Sequence, residues 1–126
     1  MPRTERSGLG RLIRRAEFLR AAQTKHRWSM PGLVLQVARP ATMDGPTPPT
    51  RYGLTASRKV GGAVVRNRAR RRLRALAREL LSGHAEPGND YVLIARGQTA
   101  LRPFALLRAD LIEALSRTRA WREAPP

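Results

Sequence analysis

The spacing of apolar residues along the chain predicts six secondary-structure elements. Leu12, Ala16 and Leu19, with Phe18 beside them, form a short apolar face at helical spacing, which indicates a helix over residues 10–23. The other five elements are strands over residues 33–38, 51–57 and 91–95, a helix from Gly61-Gly62 to about Leu81, and a last helix that starts at Arg102-Pro103.

The breaks between these elements set the expected topology. Residues 40–50 contain four prolines and one glycine, which predicts a long, mobile hairpin connection between the first two strands. A helix joins the second strand to the third, so these two strands can run parallel. We expect an α+β fold of order α-β-β-α-β-α, with helices packed on one small mixed sheet. Residues 1–9 are expected to be a flexible basic N-terminus, residues 10–119 one domain, and residues 120–126 a disordered tail.

The helix that follows Gly61-Gly62 has one apolar and one strongly basic side. The apolar stripe consists of Val65, Ala69, Leu73, Leu76 and Leu80. The basic side consists of Arg70, Arg71, Arg74 and Arg78 with Asn67, and Arg66, Arg68 and Arg72 flank the stripe. An ordinary solvated helix face usually carries interspersed acids, whereas the first acid here is Glu79. Charge of this density repels itself, so a polyanion is the expected partner.

The overall charge narrows the class of partner. The chain has 126 residues, a formal net charge of +16 and a pI near 12.0. Nucleic acid and an anionic membrane surface would both suit such a charge, but a membrane-binding helix usually places bulky aromatic residues opposite its charges. The basic helix offers Val, Ala and Leu instead, which favours nucleic acid. The chain has no cysteine, no apolar run long enough to span a bilayer and no secretory signal, so we expect a cytoplasmic protein.

Residues that could catalyse a reaction are scarce. The three aspartates, Asp44, Asp90 and Asp110, share no motif spacing with other acids, and His26 and His84 are isolated and interpreted as solvated loop residues. Gly61-Gly62 lacks the ending of a phosphate-binding P-loop. A binding surface is therefore the better interpretation of this sequence.

Aromatic residues for stacking on bases are also few. Phe104 is assigned to the core face of the last helix, and Tyr52 and Tyr91 to the edge of the core. Phe18 has two alternatives, since it can pack in the core or face a groove beside the sheet. The six aromatic residues are Phe18, Trp28, Tyr52, Tyr91, Phe104 and Trp121.

Residues 51–71 read RYGLTASRKVGGAVVRNRARR and resemble the signature of the bacterial ribonuclease P protein component. That signature is a strand ending in Ser-x-Lys/Arg-Lys, then Val-Gly-x-Ala-Val-x-Arg-Asn-Arg, then a basic helix. Residues 12–18 resemble the first helix of that family, and residues 90–96 resemble its last strand. The resemblance covers about residues 10–118.

The resemblance implies a function and a fold. It implies a protein subunit that assists the removal of the 5′ leader from precursor tRNA, while the large RNA subunit catalyses the hydrolysis and the protein alone is inactive. Magnesium would be held mainly by the RNA, with none bound tightly by the protein. The implied partners are the ribonuclease P RNA and the single-stranded leader, with no membrane and no obligate protein partner. The implied fold is similar to the second domain of ribosomal protein S5, with a left-handed β-α-β crossover.

The resemblance also implies roles for individual residues. The residues expected to contact the catalytic RNA are Arg58, Lys59, Arg66, Asn67, Arg68, Arg70, Arg71 and Arg74. The candidates for the leader cleft are Arg15, Phe18, Gln36, Thr55 and Ser57. Ala22 and Gln36 stand where an aromatic residue is common in the family, which leaves fewer rings for stacking.

Three other functions are considered beside this one. A structural RNA binder such as a ribosomal protein would have the same basic surface but no effect on a ribonuclease P RNA. A DNA-binding regulator would insert the arginine-rich helix into the major groove and would dimerise. An independent nuclease is disfavoured by the scarcity of clustered carboxylates.

Overall fold

A computed structural model describes residues 4–5, 7–42 and 44–123 and contains a five-stranded mixed sheet with three α-helices. The strands are β1 (Gly10–Arg11), β2 (Arg27–Ser29), β3 (Leu33–Ala38), β4 (Arg51–Thr55) and β5 (Asp90–Ala95). The helices are α1 (Arg15–Ala22), α2 (Ala63–Leu80) and α3 (Phe104–Arg117), and a short 3₁₀ helix (Arg58–Val60) precedes α2. The six predicted elements are present in the predicted order, and the short strands β1 and β2 are additional.

The sheet order is β1-β4-β5-β3-β2. β4 and β5 are parallel neighbours joined through α2, an arrangement that the intervening helix allows. The expected hairpin between β3 and β4 is wrong, because β5 lies between them and pairs antiparallel with β3. β5 is apolar from Tyr91 to Ala95, and its central position lets a neighbouring strand cover each of its edges. The handedness of the β4-α2-β5 crossover stays a prediction.

The two faces of the sheet bury different sets of residues. α2 and α3 lie on one face, where their apolar residues pack with side chains such as Leu35, Tyr52 and Leu93. α1 lies on the other face, over a smaller cluster that includes Leu12, Ala38 and Val92. The larger cluster is the main core, and the single helix leaves part of the second face uncovered. Tyr52 and Tyr91, which the sequence places at the edge of the core, are fully buried within it.

The predicted helix over residues 10–23 is too long at its N-terminus. The amide of Gly10 donates to the Thr50 carbonyl and the amide of Leu12 to the Tyr52 carbonyl, both at 2.9 Å, so this segment extends the sheet as β1. α1 begins at Arg15, and its packed residues are Phe18 and Ala21, while Leu19 is about half exposed. Pairing with β4 satisfies backbone groups that a helix would satisfy locally, so tertiary contact decides this boundary.

The described parts of both terminal segments contact the domain. Leu9, in the segment expected to be flexible, is buried in the main core. At the other end Ala120 is buried and Trp121 pairs with Ala85 through a β-bridge, so residues 120–123 differ from the expected disordered tail. Residues 1–3, 6 and 124–126 lie outside the described residues, and the limits 10–119 of the domain stay a prediction.

The structure corrects one of the two histidine interpretations. The ring of His84 stacks on the ring of Trp121, with their centroids 4.8 Å apart and their planes 3° from parallel. His84 is therefore half-buried in an aromatic contact and not a freely solvated loop residue. The sequence hid this contact because 37 positions separate the two rings. His26 is exposed, as expected.

Candidate nucleic-acid interface

The apolar side of α2 packs on the sheet and turns its basic side outward. Ala69, Leu73, Leu76 and Leu80 are fully buried, as the stripe predicts. Val65, at the first turn, is 37% exposed, because this turn extends past the core and Val65 lies against Gly61 instead. Residues of the opposite side, including Asn67 and Arg71, are exposed. Burial of the stripe therefore fixes which arginines face solvent.

Two arginines on one flank of α2 have structural partners. Arg68 donates through Nε to the carbonyl of Ala100 at 2.7 Å. Arg72 donates to the carbonyls of Thr99 and Arg102, both at 2.5 Å. These bonds attach the β5–α3 connection to α2. Desolvation, and then the charge of Arg68, lower the pKa of Arg72. Arg68, expected to contact RNA, thus has at least part of its hydrogen-bonding capacity engaged within the protein.

Arg72 also explains why the core assignment of Phe104 is wrong. Phe104 is 41% exposed at the start of α3, and the guanidinium of Arg72 lies 5.6 Å from its ring centroid. A cation held over an aromatic face is attractive, so this ring is stabilised beside the basic helix without being buried. The periodicity of α3 places Phe104 on the packed face, but the first turn of α3 lies beyond the core.

The other predicted RNA-contacting residues lie on the open side of α2 and just before it. Arg58 and Lys59 are exposed in the 3₁₀ helix. Arg70 donates to the side-chain oxygen of Asn67 at 3.2 Å and reaches the carbonyl of Ala56 at 3.4 Å. Arg66 and Arg74 are half-buried, and the Nε atom of each is buried without a partner in the described chain. The eight predicted residues therefore all lie in the 3₁₀ helix and in α2, with Arg68 turned toward Ala100 on one flank.

A groove of about 260 Å³ lies beside α1 on the opposite face of the sheet from α2 and α3. Four of the five predicted leader-cleft residues line it. Ser57 does not, since it is exposed just beyond β4, where it precedes the 3₁₀ helix. The lining residues are Arg15, Phe18, Leu19, Ala22, Gln36, Thr55, Val92 and Ile94.

The ring of Phe18 both lines this groove and packs on the sheet, so the two alternatives for this residue apply together. The ring lies against Gly53, where an added Cβ would come within 2.5 Å of the Phe18 ring. Gly53 is therefore needed for close approach of the ring to the strand. The small side chain of Ala22 leaves room in the groove, whereas Gln36 lines the groove with only 4% of its surface exposed.

A cluster of ion pairs fixes α1 to the sheet. Arg51 donates to both carboxylate oxygens of Asp90, at 2.9 and 2.8 Å, and also pairs with Glu17 of α1. Arg20 of α1 bonds the same Asp90 at 3.2 Å. Hydrogen bonds from the amides of Arg14 and Ile13 lower the pKa of Glu17 against the opposing effect of burial. The cluster sets the position of α1 and hence the width of the groove.

A second cluster joins the N-terminal segment to the end of α2, and the sequence reasoning missed it. Burial alone would raise the pKa of Glu5, but hydrogen bonds from Arg78, Tyr52 and Arg11 and the charge of Arg78 hold it at about 2. The Tyr52 hydroxyl donates to Glu5 at 2.7 Å, and Arg78 donates to it at 2.9 Å. Residues 5, 52 and 78 are far apart in the chain, so no local spacing links them. The only signal in the sequence is that Glu5 is a single acid in a basic segment, which could have indicated that it has an ion-pair partner.

Within residues 4–5, 7–42 and 44–123, the structure brings no set of three acidic or histidine side chains together that could hold a metal ion. In the same residues no helix is long and apolar enough to cross a bilayer. The groove and the basic helix meet near the end of β4, because Thr55 lines the groove and Arg70 reaches the next carbonyl, that of Ala56.

The fold and this surface define a class: a small, strongly basic α+β protein of the nucleic-acid-binding kind. Residues 7–119 match the family described as Ribonuclease P. The ribonuclease P protein component of Paramagnetospirillum magneticum is 47% identical over 112 residues, which cover 89% of this chain and 84% of the relative. That of Caulobacter vibrioides is 49% identical over 105 residues, 83% of this chain and 68% of the relative.

The chain therefore belongs to the ribonuclease P protein family, whose members are the protein subunit of the endoribonuclease that processes the 5′ end of tRNA. The fold agrees with this. The RNase P protein of Staphylococcus aureus has a TM-score of 0.71 at 22% identity, over 89% of this chain and 97% of the other. The RNase P protein from Thermotoga maritima has a TM-score of 0.68 at 24% identity, over 85% and 96%. Association with a ribonuclease P RNA follows from the family.

Proposed function

We propose that the open side of α2 binds the catalytic RNA and that the groove beside α1 binds the single-stranded leader of precursor tRNA. The observation that carries this proposal is the junction at the end of β4, where the basic helix and the groove adjoin. A leader emerging from an RNA held on α2 would reach the groove without crossing an acidic surface. The exposed Arg58, Lys59 and Arg71 would contact RNA phosphates along the path from α2 to the groove.

The leader contact combines charge with an apolar surface. Arg15 supplies a positive charge at the rim of the groove, and the ring of Phe18 supplies a face on which a base can stack. Val92 and Ile94 form the apolar floor, and the side chain of Thr55 offers a hydroxyl. Such a surface accepts any nucleotide, because every nucleotide has a phosphate and a base whose face can stack.

The protein acts by electrostatics and positioning in this proposal. Two RNA segments that approach each other repel, and arginines placed between them lower that repulsion. Magnesium held by the RNA subunit would supply the hydrolytic chemistry, while the residues of this chain bind and orient the RNA. The protein alone is expected to be inactive. We place this assembly in the cytoplasm, with no membrane and no obligate protein partner.

Reconstitution tests the proposal. The protein is added to a ribonuclease P RNA with 5′-extended precursor tRNA at low magnesium, and leader release is measured. We expect faster cleavage and a lower magnesium requirement with the protein than without it. No gain in cleavage would overturn the proposal, and cleavage by the protein without RNA would contradict the division of labour.

A variant separates RNA binding from folding. In Arg58→Gln/Lys59→Gln/Arg71→Gln, which changes three exposed residues, we expect most of the gain in cleavage rate to be lost while the unfolding temperature stays near that of the parent. Arg68 is left unchanged, because its Nε atom holds the Ala100 carbonyl. Arg108→Gln/Arg117→Gln/Arg119→Gln, on and after α3, removes the same charge and should keep the gain. Equal losses in both variants would mean that only net charge matters.

A further inference from the structure

The strand register identifies a row of residues that continues the groove across the sheet. Thr55 is paired with Ile94, Ile94 with Val34, and Val34 with Ser29. Residues directly opposite each other on neighbouring strands point to the same face. Ile94 and Thr55 line the groove, so Val34 and Ser29 lie on the groove face as well. This row crosses four strands, which is about 14 Å at the usual strand spacing.

A second row of paired residues, which begins at Gly53, runs beside the first and ends at the charged residue Arg27. Gly53 is paired with Val92, Val92 with Gln36, and Gln36 with Arg27. Phe18 covers the beginning of this row at Gly53. Arg27, at its far end on the edge strand β2, is exposed, and the described residues provide no acidic partner for its guanidinium. Ser29 is exposed beside it on the same face.

We infer that Arg27 and Ser29 form a distal phosphate-binding site for single-stranded RNA, at the β2 end of the groove. Arg27 supplies the charged donors that suit a phosphate, and Ser29 supplies a hydroxyl donor. Val34 and Ile94 are half-buried and provide an apolar path between this site and Phe18. The trio Lys25-His26-Arg27 adds positive charge at the edge and contains no acid.

The position of α2 sets the direction in which the RNA leader runs through the groove. It places the Arg27 site far from the cleavage point. The catalytic RNA is proposed to lie on α2, so the leader would enter at the β4 side of the groove and leave past β2. Nucleotides close to the cleavage point would then meet Thr55 and Phe18, and those further away would meet Arg27. This inference rests on the proposed leader groove and adds to it the residue that binds the distal part.

The opposite face of β2 provides a matched control. Trp28 is paired with Leu35, which lies in the main core, so Trp28 points to the α3 face, where Arg117 lies 5.2 Å from its ring centroid. Arg117 is exposed and pairs with Glu113. Arg27→Gln and Arg117→Gln therefore remove one charge each at the same edge of the sheet, on opposite faces.

A series of precursor tRNAs whose leaders lengthen one nucleotide at a time tests the site in the reconstituted holoenzyme. With the parent protein, affinity should rise with leader length until the leader spans the groove. Arg27→Gln should leave affinity for the shortest leaders unchanged and lower affinity for long leaders by about threefold, the scale of one exposed charge pair. Arg15→Gln should lower the affinity for short and long leaders alike. Arg117→Gln should have the same affinities as the parent.

The outcomes separate this inference from the proposed function. If the parent gains no affinity from any leader, the proposed leader groove is wrong, and the distal site is wrong with it. If the parent gains affinity but Arg27→Gln follows the same curve, the groove stands and the distal site is overturned. A loss with Arg117→Gln equal to that with Arg27→Gln would also overturn it, because charge alone would then explain the effect. Equal unfolding temperatures of the three proteins would establish that the differences arise from binding.

Discussion

Gly53 determines how closely the ring of Phe18 approaches the sheet. Its missing side chain leaves room for two ring atoms that would come within 2.5 and 2.7 Å of a Cβ. The sequence places Gly53 in the middle of a strand, where glycine is unfavourable, so its presence indicates a close approach. The partner of that approach is 35 positions away and could not be read from the pattern.

Gly53→Ala should displace Phe18 from its place in the groove. Because the ring must move to avoid the added methyl group, we expect a loss of about 1–3 kcal/mol in the free energy of unfolding. We also expect weaker binding of leader-containing substrate and unchanged affinity for the catalytic RNA. Chemical denaturation and substrate titration measure these effects. Gly97→Ala is the control, since Gly97 lies in the β5–α3 connection, nothing lies within 4 Å of its Cβ position and its φ is not positive. Unchanged leader binding in Gly53→Ala would contradict this role of the ring.

Glu5 should make the stability of the protein depend on pH in the acid range. Its pKa falls from 4.5 to about 2 on folding, so the ionised form is favoured by the folded state. The stabilisation is fully present above about pH 4.5 and is lost as the pH falls from there toward 2. In Glu5→Gln we expect a lower unfolding temperature at neutral pH and a flatter decline between these limits.

Thermal unfolding followed at several pH values checks the effect of Glu5. Glu113→Gln is the control, because Glu113 forms an exposed pair with Arg117 within α3. Its unfolding profile should run parallel to that of the parent. If the Glu5→Gln profile also ran parallel to that of the parent, the contacts with Tyr52 and Arg78 would not stabilise the fold.

At the scale of elements, α2 has both a structural and a binding role. Two neighbouring arginines, Arg71 and Arg72, have one of these roles each. Arg71 is exposed on the outer side, whereas Arg72 points toward the β5–α3 connection and holds two of its carbonyls. Helical periodicity places these two residues on different sides of the helix. It does not reveal that the flank of Arg72 meets backbone carbonyls, because the connection comes from a distant part of the chain.

Replacing these two arginines by methionine should separate the roles. Arg72→Met keeps an unbranched stem near Phe104 but removes the donors to the Thr99 and Arg102 carbonyls, so we expect a loss of about 1–3 kcal/mol in stability. Arg71→Met should change stability by less than about 0.5 kcal/mol and weaken binding of the catalytic RNA. Denaturation and RNA titration distinguish them, and equal stability of the two variants would refute the structural role of Arg72.

At the scale of the whole molecule, the chain has a net charge of +16, and basic residues lie on both faces of the sheet. The larger concentration lies on α2 and the 3₁₀ helix, and a smaller one lies along the groove from Arg15 to Arg27. Several arginines serve the fold instead, since Arg51, Arg102 and Arg78 pair with acids. Net charge therefore overstates the number of contacts available to RNA.

Salt dependence measures how many contacts are used. Each phosphate contact should contribute about 0.7–0.9 to the slope of log affinity against log salt concentration. The double variant Lys59→Gln/Arg71→Gln should lower the slope for the catalytic RNA by about 1.5, because both residues are exposed beside or on α2. Arg108→Gln, on α3, should not change the slope. A slope that is the same in the double variant and the parent would exclude these two residues as phosphate contacts.

The sequence by itself determined the six main elements, the basic side of α2 and the family. These follow from periodicity, from Gly61-Gly62 before the helix and from a contiguous motif, all of which are local. The tertiary structure decided the central place of β5, the edge strands β1 and β2, and the partners of Glu5 and Arg72. It also decided that Phe104 is exposed and that Phe18 lies on Gly53. Those features depend on contacts between residues far apart in the chain, and local spacing carries no information about such contacts.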